Sequence, residues 1–248
     1  MLVFATLGAP ERRRLADRRR RRDAEPQPDP APVRTGRATV IDAGHPMSGA
    51  GEANGWLQTV GEADLAAELA VLNRALHAFR LVAADPHVHA VQRSQALVAR
   101  LGFGAGEQVA DGLWTSAREL VLAPGRQRRS RALAPQARLA AVLGARERLL
   151  ACEELVLRAR TDVDEGRHRE AALQVLVALD AALAELAADH LAALLADRVT
   201  ELRAQREPVA AAAQAALSGD LDEAERRTVS FTVSRIEAAL RARAAAAG

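Results

Sequence analysis

Residues 164–186 read DEGRHREAALQVLVALDAALAEL, and this stretch decides the fold. After Gly166, apolar side chains recur at steps of three and four residues, which places them on one face of a helix. A glycine lets the chain leave a preceding helix with a positive φ, and small alanines let two antiparallel helices approach closely. The stretch therefore predicts the turn and second helix of a helical hairpin. The residues of the apolar face are Ala172, Val175, Leu176, Leu179, Ala182, Leu183 and Leu186.

The sequence on both sides of this stretch continues the helical pattern. Pro135 suits a first helical position, and Pro208 interrupts the pattern once. We therefore predict a helical-hairpin unit over residues 135–246, with its last helix at about 221–243. Its other apolar stripes are Leu149, Cys152, Val156, Ala159 and Val163, then Leu191, Leu195 and Leu202, then Val229, Val233, Ile236 and Leu240.

The turn at Gly166 has the spacing G-x3-E-A-x6-A-L, which resembles the turn and second helix of a tetratricopeptide repeat. The resemblance covers about residues 151–186, and it implies a concave helical surface that binds protein. It is carried by Gly166, Glu170, Ala171, Ala178 and Leu179.

The match to this repeat is partial. Ala159 occupies a position where the repeat keeps a small residue, whereas Asp162 stands where a large apolar or aromatic residue is expected. A second turn over residues 218–224 has a similar pattern, but Gly166 and Gly219 are farther apart than the repeat period of about 34 residues. A plain helical hairpin with the same turn is therefore the alternative.

The N-terminal segment has a different composition from the rest of the chain. Residues 1–37 contain ten arginines and five acidic residues, while the whole chain has a formal net charge of only +2. Proline, glycine and charge leave too little apolar surface to offset the entropy of ordering. We predict a disordered basic arm over residues 1–55, in which only the short apolar run at 38–41 could add a strand to another element.

Residues 56–122 predict a small helical unit. Its first helix spans about 62–84, because the residue before Pro86 is driven out of the helical region. A second helix is predicted over about 87–101, with Val88, Val91, Val98 and Leu101 facing inward. The stripe of the first helix consists of Leu65, Leu69, Leu72, Leu76, Phe79 and Ala83.

A glycine-rich irregular element follows at residues 102–122. It contains either a hairpin that turns at Asp111–Gly112 or one helical turn that starts at Glu107 and ends at Gly112. Residues 123–134 then predict an exposed arginine-rich loop. A ligand pocket in this region would be formed by Glu107, Asp111, Trp114 and Arg118.

The sequence contains few residues in catalytic or metal-binding patterns. His87 and His89 are two residues apart, so on a helix they point to different faces. Cys152 belongs to an apolar stripe, where a thiol behaves as a small hydrophobic group. The run GFGAGE at 102–107 lacks the spacing of a phosphate-binding loop. We therefore predict no cofactor, no metal and no catalytic residue, and we expect these glycines to allow a tight connection between helices.

Arginine-rich runs provide the other candidate site. All 34 basic residues are arginine. Arginines that neutralise phosphates release counterions and favour nucleic-acid binding, although no aromatic residues that would stack on bases are interleaved with them. Contacts of this kind would involve Arg12, Arg13, Arg14, Arg18, Arg19, Arg20, Arg21, Arg22, Arg126, Arg128, Arg129 and Arg131.

Together these observations predict an all-α cytoplasmic protein. The single cysteine fits a reducing compartment, and the most apolar run, residues 171–188, is interrupted by polar residues and does not predict a membrane span. The most consistent function is a non-catalytic interaction or scaffold role, in which helical grooves or faces bind another protein or a second copy. The alternatives are an accessory protein that binds nucleic acid through the basic arm, and an enzyme or ligand-binding protein with its site near residues 102–131.

Overall fold

The computed structural model describes residues 1–8, 35–121 and 129–247, and within these ranges the chain is mostly helical. The mostly helical fold is confirmed, but four short strands make it other than all-α. The chain divides into two compact units, Met1–Pro124 and Gly125–Gly248. In chain order the described elements are β1 Leu2–Leu7, β2 Thr35–Val40, α1 Ala50–Thr59, α2 Glu62–Val82, β3 Arg100–Phe103, β4 Ser116–Glu119, α3 Arg129–Leu143, α4 Ala151–Asp164, α5 His168–Ala187, α6 Ala192–Ala204, α7 Arg206–Ser218 and α8 Glu223–Ala247.

The prediction of a disordered arm over residues 1–55 is wrong at both of its ends. Strands β1 and β2 pair antiparallel, with Leu2 opposite Val40 and Leu7 opposite Thr35, and α1 begins at Ala50. The apolar run at the N-terminus supplies the pairing partner that the short run at 38–41 needs. Residues 9–34, which include the arginines from Arg12 to Arg22, lie outside the described residues.

The second predicted helix, over residues 87–101, does not form. A side chain of α2 accounts for this, because Asn73 pairs with the backbone of Val91 in both directions. Its carboxamide oxygen accepts from Val91 N at 2.8 Å, and its Nδ2 donates to Val91 O at 3.1 Å. The Val91 N–H and C=O groups that a helix would use are thereby satisfied by a side chain instead. Apart from a 3-10 turn at Arg93–Gln95, the segment runs irregularly to β3.

Both readings of the glycine-rich element are correct in part. Strands β3 and β4 form an antiparallel hairpin, with Leu101 opposite Arg118. The loop between them contains a 3-10 turn at Glu107–Val109, and it closes at Gly112 with a φ of 75°. The glycines thus connect strands instead of helices. At Gly102 a Cβ atom would lie only 2.6 Å from the carbonyl oxygen of Ser116, so the close approach of the strands requires glycine there.

The first unit has a small core. Its fully packed apolar cluster consists of Val60, Leu101 and Leu120, against which Trp56, Leu57 and Leu65 lie half-buried. Helix α1 and the β3–β4 hairpin therefore share one core, and Arg118 of β4 reinforces this by donating hydrogen bonds to the carbonyls of Gln58 and Val60. The predicted helix over 62–84 is confirmed as α2, but Leu72 is the only residue of its apolar stripe that is buried.

The second unit begins earlier than the sequence predicts. Helix α3 starts at Arg129, so the predicted loop over 123–134 is helical from that residue onward and Pro135 lies inside the helix. Residues 122–128, including Arg126 and Arg128, lie outside the described residues. The predicted apolar stripe of α4 began at Leu149. Leu149 instead precedes α4 and is exposed, so it does not belong to the stripe.

Helices α4 and α5 form the centre of the second unit. The backbone N–H groups of Ala151 and Cys152, at the start of α4, donate to the Glu185 carboxylate near the end of α5, so the two helices run antiparallel. Small side chains between the two helices allow this close contact. The core residues of the unit are Cys152, Val156, Ala159, Ala171, Ala172, Val175, Ala178, Leu179, Ala182, Leu186, Leu195, Val199, Leu202, Val209, Ala212, Ala216, Leu221, Val229, Val233, Ile236 and Ala239.

None of the helices in the described ranges is both long enough and apolar enough to cross a membrane.

The connection between α4 and α5 depends on glycine. Gly166 has a φ of 72°, which is the positive value expected from its place after a helix. We expect Gly166→Ala to destabilise the protein by about 1 kcal/mol, because a left-handed conformation is costly for an L residue. The measurement is the free energy of unfolding in urea.

Gly219→Ala is the matched control for this substitution. Gly219 also follows a helix, but its φ of 172° is extended backbone that any residue adopts, and a Cβ atom at either glycine would meet nothing within 4 Å. The control should therefore change the unfolding free energy little. Equal losses in the two variants would contradict this account of the turn.

Candidate functional site

A cluster of buried and partly buried charges lies in the second unit. We call it the Arg243 cluster, and it consists of Arg138, Glu147, Glu153, Asp189 and Arg243. The Arg243 and Asp189 side chains are each only 5% exposed, and Arg243 Nε donates to Asp189 Oδ2 at 2.8 Å. The cluster connects α3, α4 and α8 with the segments before α4 and after α5.

The carboxylates of Glu147 and Glu153 complete this cluster. Each has its Oε1 atom 3.7 Å from Arg243 Nη1. Arg138 of α3 donates to the same two oxygens, at 2.7 Å for Glu147 and 2.6 Å for Glu153. Two guanidinium groups therefore face three carboxylates, so each charge of the cluster has at least one opposite charge beside it, although one negative charge remains in excess.

The ionisation of Asp189 follows from these contacts. Burial on its own would raise the pKa of this carboxyl group. Hydrogen bonds from Arg243 and from the Leu191 N–H outweigh burial and hold the pKa below its ordinary value. Asp189 is therefore ionised in the folded protein at neutral pH, as the buried Arg243 guanidinium requires. Since its charges bond to one another, the Arg243 cluster holds the unit together and does not resemble a reactive centre.

Cys152 lies in the same unit and is fully buried, as its position in the apolar stripe predicts. Burial raises the pKa of its thiol, and the neighbouring Glu185 carboxylate raises it further. The thiol is therefore protonated at neutral pH and is not a reactive nucleophile.

His87 and His89, the close histidine pair of the sequence, are both exposed at the surface after α2. Across the residues that the structure describes, no group of three or more histidine, cysteine or acidic side chains is placed to hold a metal ion.

The four residues expected to form a ligand pocket do not line one together. A shallow, open depression lies beside the β3–β4 hairpin, and of the four only Trp114 contributes to its lining. Glu107 and Asp111 are exposed, and Arg118 bonds to the end of α1 as described above. The depression is lined by Arg100, Gly112, Leu113, Trp114, Thr115, Ser116, Ala117 and Glu119.

Arg37 has a role in this region that the sequence did not reveal. Its Nη1 donates to the carbonyl of Asp111 at 2.6 Å, and its Nη2 donates to that of Ala110 at 3.3 Å. The guanidinium of β2 thus satisfies carbonyls at the end of the 3-10 turn. Arg37 lies 74 positions before Asp111 in the sequence, so no local sequence pattern predicts this contact. Arg37 was counted among the arginines of a disordered arm, whereas it is fixed to the hairpin loop.

The structure places few of the arginines that were predicted to bind nucleic acid. The eight from Arg12 to Arg22, together with Arg126 and Arg128, lie outside the described residues. Arg129 and Arg131 belong to the first turn of α3, where only their backbone is described. Binding of nucleic acid by these arginines therefore stays a prediction.

Exposed apolar side chains gather at both ends of α2. At its C-terminal end, Phe79, Leu81 and Val82 are 59%, 65% and 88% exposed, and we call these three residues the C-terminal patch. Near its N-terminal end lies a group that we call the N-terminal patch. It consists of Leu97, Val98 and Val121, which are 86%, 52% and 77% exposed.

The N-terminal patch is held beside the start of α2 by Arg93. The Arg93 guanidinium lies 3.7 Å from the Glu62 carboxylate and also donates to the carbonyl of Leu120. Leu120 N donates to Ala99 O, which extends the β3–β4 ladder and brings Val98 opposite Val121. The two patches are therefore separated by the length of α2. Sequence periodicity predicted the stripe of this helix but not that its ends remain uncovered.

Removing the central arginine of the Arg243 cluster should destabilise the protein strongly. We expect Arg243→Met to cost about 3–5 kcal/mol, because three buried carboxylates lose a partner. The control is Arg227→Met, since Arg227 pairs with Glu223 on the surface of α8 with both side chains about two-thirds exposed. Its cost should be below about 1 kcal/mol. Urea unfolding measures both, and similar small losses would show that the cluster contributes little.

The Asp189 pKa also predicts how stability depends on pH. A carboxyl group whose pKa is lowered by folding stabilises the protein above its ordinary pKa of 3.8, and this contribution disappears as the pH falls through the lower folded-state pKa. We therefore expect Asp189→Asn to be less stable than the native chain at pH 7, with a difference that shrinks below about pH 4. Unfolding free energies between pH 7 and pH 2.5 test this, and Asp197→Asn on the exposed face of α6 is the control. A difference that stays constant over this range would refute the assignment.

Comparison with known proteins finds no relative of this chain. No family model matches it, and no curated protein or solved structure matches it significantly. The functional argument therefore depends on the geometry of its own residues.

Proposed function

We propose that this chain is a non-catalytic interaction protein that binds another protein or a second copy of itself. The observation that carries the proposal is the C-terminal patch of α2. Isolated apolar residues are normal on a protein surface, but Phe79 and Val82 are three residues apart on the same side of the last turn of α2, and both are more than half exposed, as is Leu81 at the same end. Contiguous apolar groups of this kind mark surfaces that a partner covers.

The α4–α5 pair gives secondary support to the same function. In this proposal the two helices act as a helical hairpin of the tetratricopeptide type, with Gly166 at its turn and closely packed alanines between the helices. Leu157 of α4 and Val177 of α5 are more than half exposed. These side chains would add apolar contacts for a bound protein on the outer faces of the pair.

A non-catalytic role agrees with the state of the chain's most reactive groups. The Cys152 thiol is buried and protonated, and the charges of the Arg243 cluster bond to one another. The cytoplasm is the proposed location, because one cysteine cannot form a disulfide within the chain and a reducing compartment suits it.

The test replaces apolar contact surface on α2 in the full chain. We expect Phe79→Ser with Val82→Ser to lower binding at least about tenfold, since two exposed side chains that a partner would bury become polar. Binding is measured at near-physiological salt, both as self-association by sedimentation velocity and as retention of proteins from the native cytosol. The matched control is Leu194→Ser, because Leu194 of α6 is also highly exposed but belongs to the second unit.

Retention of a defined protein, or self-association, that the double variant loses and the control keeps would support the proposal. Unchanged binding in the double variant would remove its main support. Nucleic acid retained only at low salt would instead favour binding through the arginine-rich residues 12–22.

A further inference from the structure

Strand β1 has one edge that β2 does not cover. Within the described ranges its sheet consists of β1 and β2 alone. Ile41 N donates to Met1 O at 2.8 Å, so these two residues form a hydrogen-bonded pair at the end of the ladder. Bonded and non-bonded pairs alternate along an antiparallel ladder, so every second residue of β1 directs its N–H and C=O groups away from β2. These residues are Leu2, Phe4 and Thr6.

This edge lacks the features that usually keep a strand from pairing with another chain. Charged side chains, proline and bulges serve that purpose in natural sheets. The β1 sequence, LVFATL, contains no charged residue and no proline. It pairs residue for residue with β2 without a bulge, and Phe4 and Thr6 are exposed. The backbone groups of the edge therefore suit an additional strand.

A second copy of β1 matches this edge when the two strands run antiparallel about a two-fold axis through Phe4. The axis places Phe4 opposite itself, and it places Leu2 opposite Thr6 of the second copy. All three edge residues then exchange N–H···O=C bonds across the axis. A register centred on another residue of β1 leaves at least one of the three without a partner in β1.

The exposed apolar side chains beside this edge fit the same register. Met1, Phe4 and Leu7 are 69%, 59% and 43% exposed. The axis places Met1 opposite Leu7 of the second copy, and Phe4 opposite Phe4. Residues directly opposite each other in antiparallel strands have neighbouring side chains on one face of the sheet, and aromatic pairs of this kind are stabilising. One register therefore satisfies the backbone groups and the side chains together.

We infer that a second copy of this chain adds its β1 antiparallel to β1, so that two two-stranded sheets join into one sheet. A two-fold interface must be complementary to itself. The edge of β1 meets that requirement in its hydrogen-bonding groups and in its apolar side chains, whereas a strand of unrelated sequence would match only the backbone groups. This surface differs from the C-terminal patch of α2, so the inference goes beyond the proposed function and is tested separately.

Charges placed on the two-fold axis test the pairing in the full chain. Phe4→Glu and Phe4→Arg each bring two like charges opposite each other and remove an aromatic pair. We expect either substitution to raise the dimer dissociation constant about tenfold or more. An equimolar mixture of the two variants should restore association, because opposite charges then face each other across the axis.

Proline at the edge tests the backbone bonds. The N–H of Thr6 points away from β2, so Thr6→Pro keeps the β1–β2 ladder but removes a donor on each side of the axis. A similar loss of association is expected. Ala38→Glu is the matched control, because Ala38 of β2 is exposed and lies opposite Phe4. Its charge would lie on the same face but one strand away from the paired edge, so the dimer should remain intact.

Sedimentation velocity over a concentration series measures association, and circular dichroism verifies that each variant keeps the wild-type spectrum. Loss of the dimer in Thr6→Pro and in each charge variant alone, with recovery in the mixture, supports the pairing. A monomeric wild-type chain overturns it, as do a dimer that tolerates these variants and a mixture that stays dissociated. A dimer that dissociates only in Phe79→Ser with Val82→Ser also overturns it, but leaves the proposed function standing.

Discussion

The bond between Arg243 and Asp189 is the interaction on which the second unit depends. A guanidinium with 5% of its surface exposed has lost nearly all of its hydration, and carboxylates must replace it. Those carboxylates come from the segments before α4 and after α5 and from α4 itself. The ends of several helices are therefore fixed at one point, while the apolar core aligns the helices along their lengths. Arg138 extends the same arrangement to α3.

The two units use apolar residues differently. In the second unit α4, α5 and α8 bury alanine, valine and leucine together, so antiparallel helices come close over a long contact. The buried apolar cluster of the first unit has only three residues, and its longest helix buries only Leu72 and Asn73. In this unit, side chains such as Asn73 and Arg37 form hydrogen bonds with backbone groups that are far away in the sequence. Such a unit gains stability from whatever covers its remaining apolar surface.

Helices with a regular stripe could be predicted from the sequence, and elements with distant partners could not. The patterns through Leu72 and through Val156 identified α2 and α4, because helical periodicity is a local property. Strand β1 pairs with residues 28 to 38 positions later, and Asn73 binds the backbone of Val91, so tertiary contacts override the local pattern at both places. For the same reason no local sequence pattern predicted the Arg243 cluster or the role of Arg37. Of the candidate site, the apolar stripe of α2 was predictable, but the exposure of its end was not.

The position of Cys152 has a practical consequence. It is the only thiol in the chain, it lies in the core between α4 and α5, and it is protonated while the second unit is folded. A thiol-reactive reagent therefore modifies the native chain only when this core opens. The rate of modification reports opening of the second unit alone, without an added label. A cysteine introduced at an exposed position would be the only thiol that reacts in the folded protein, because Cys152 stays unreactive there.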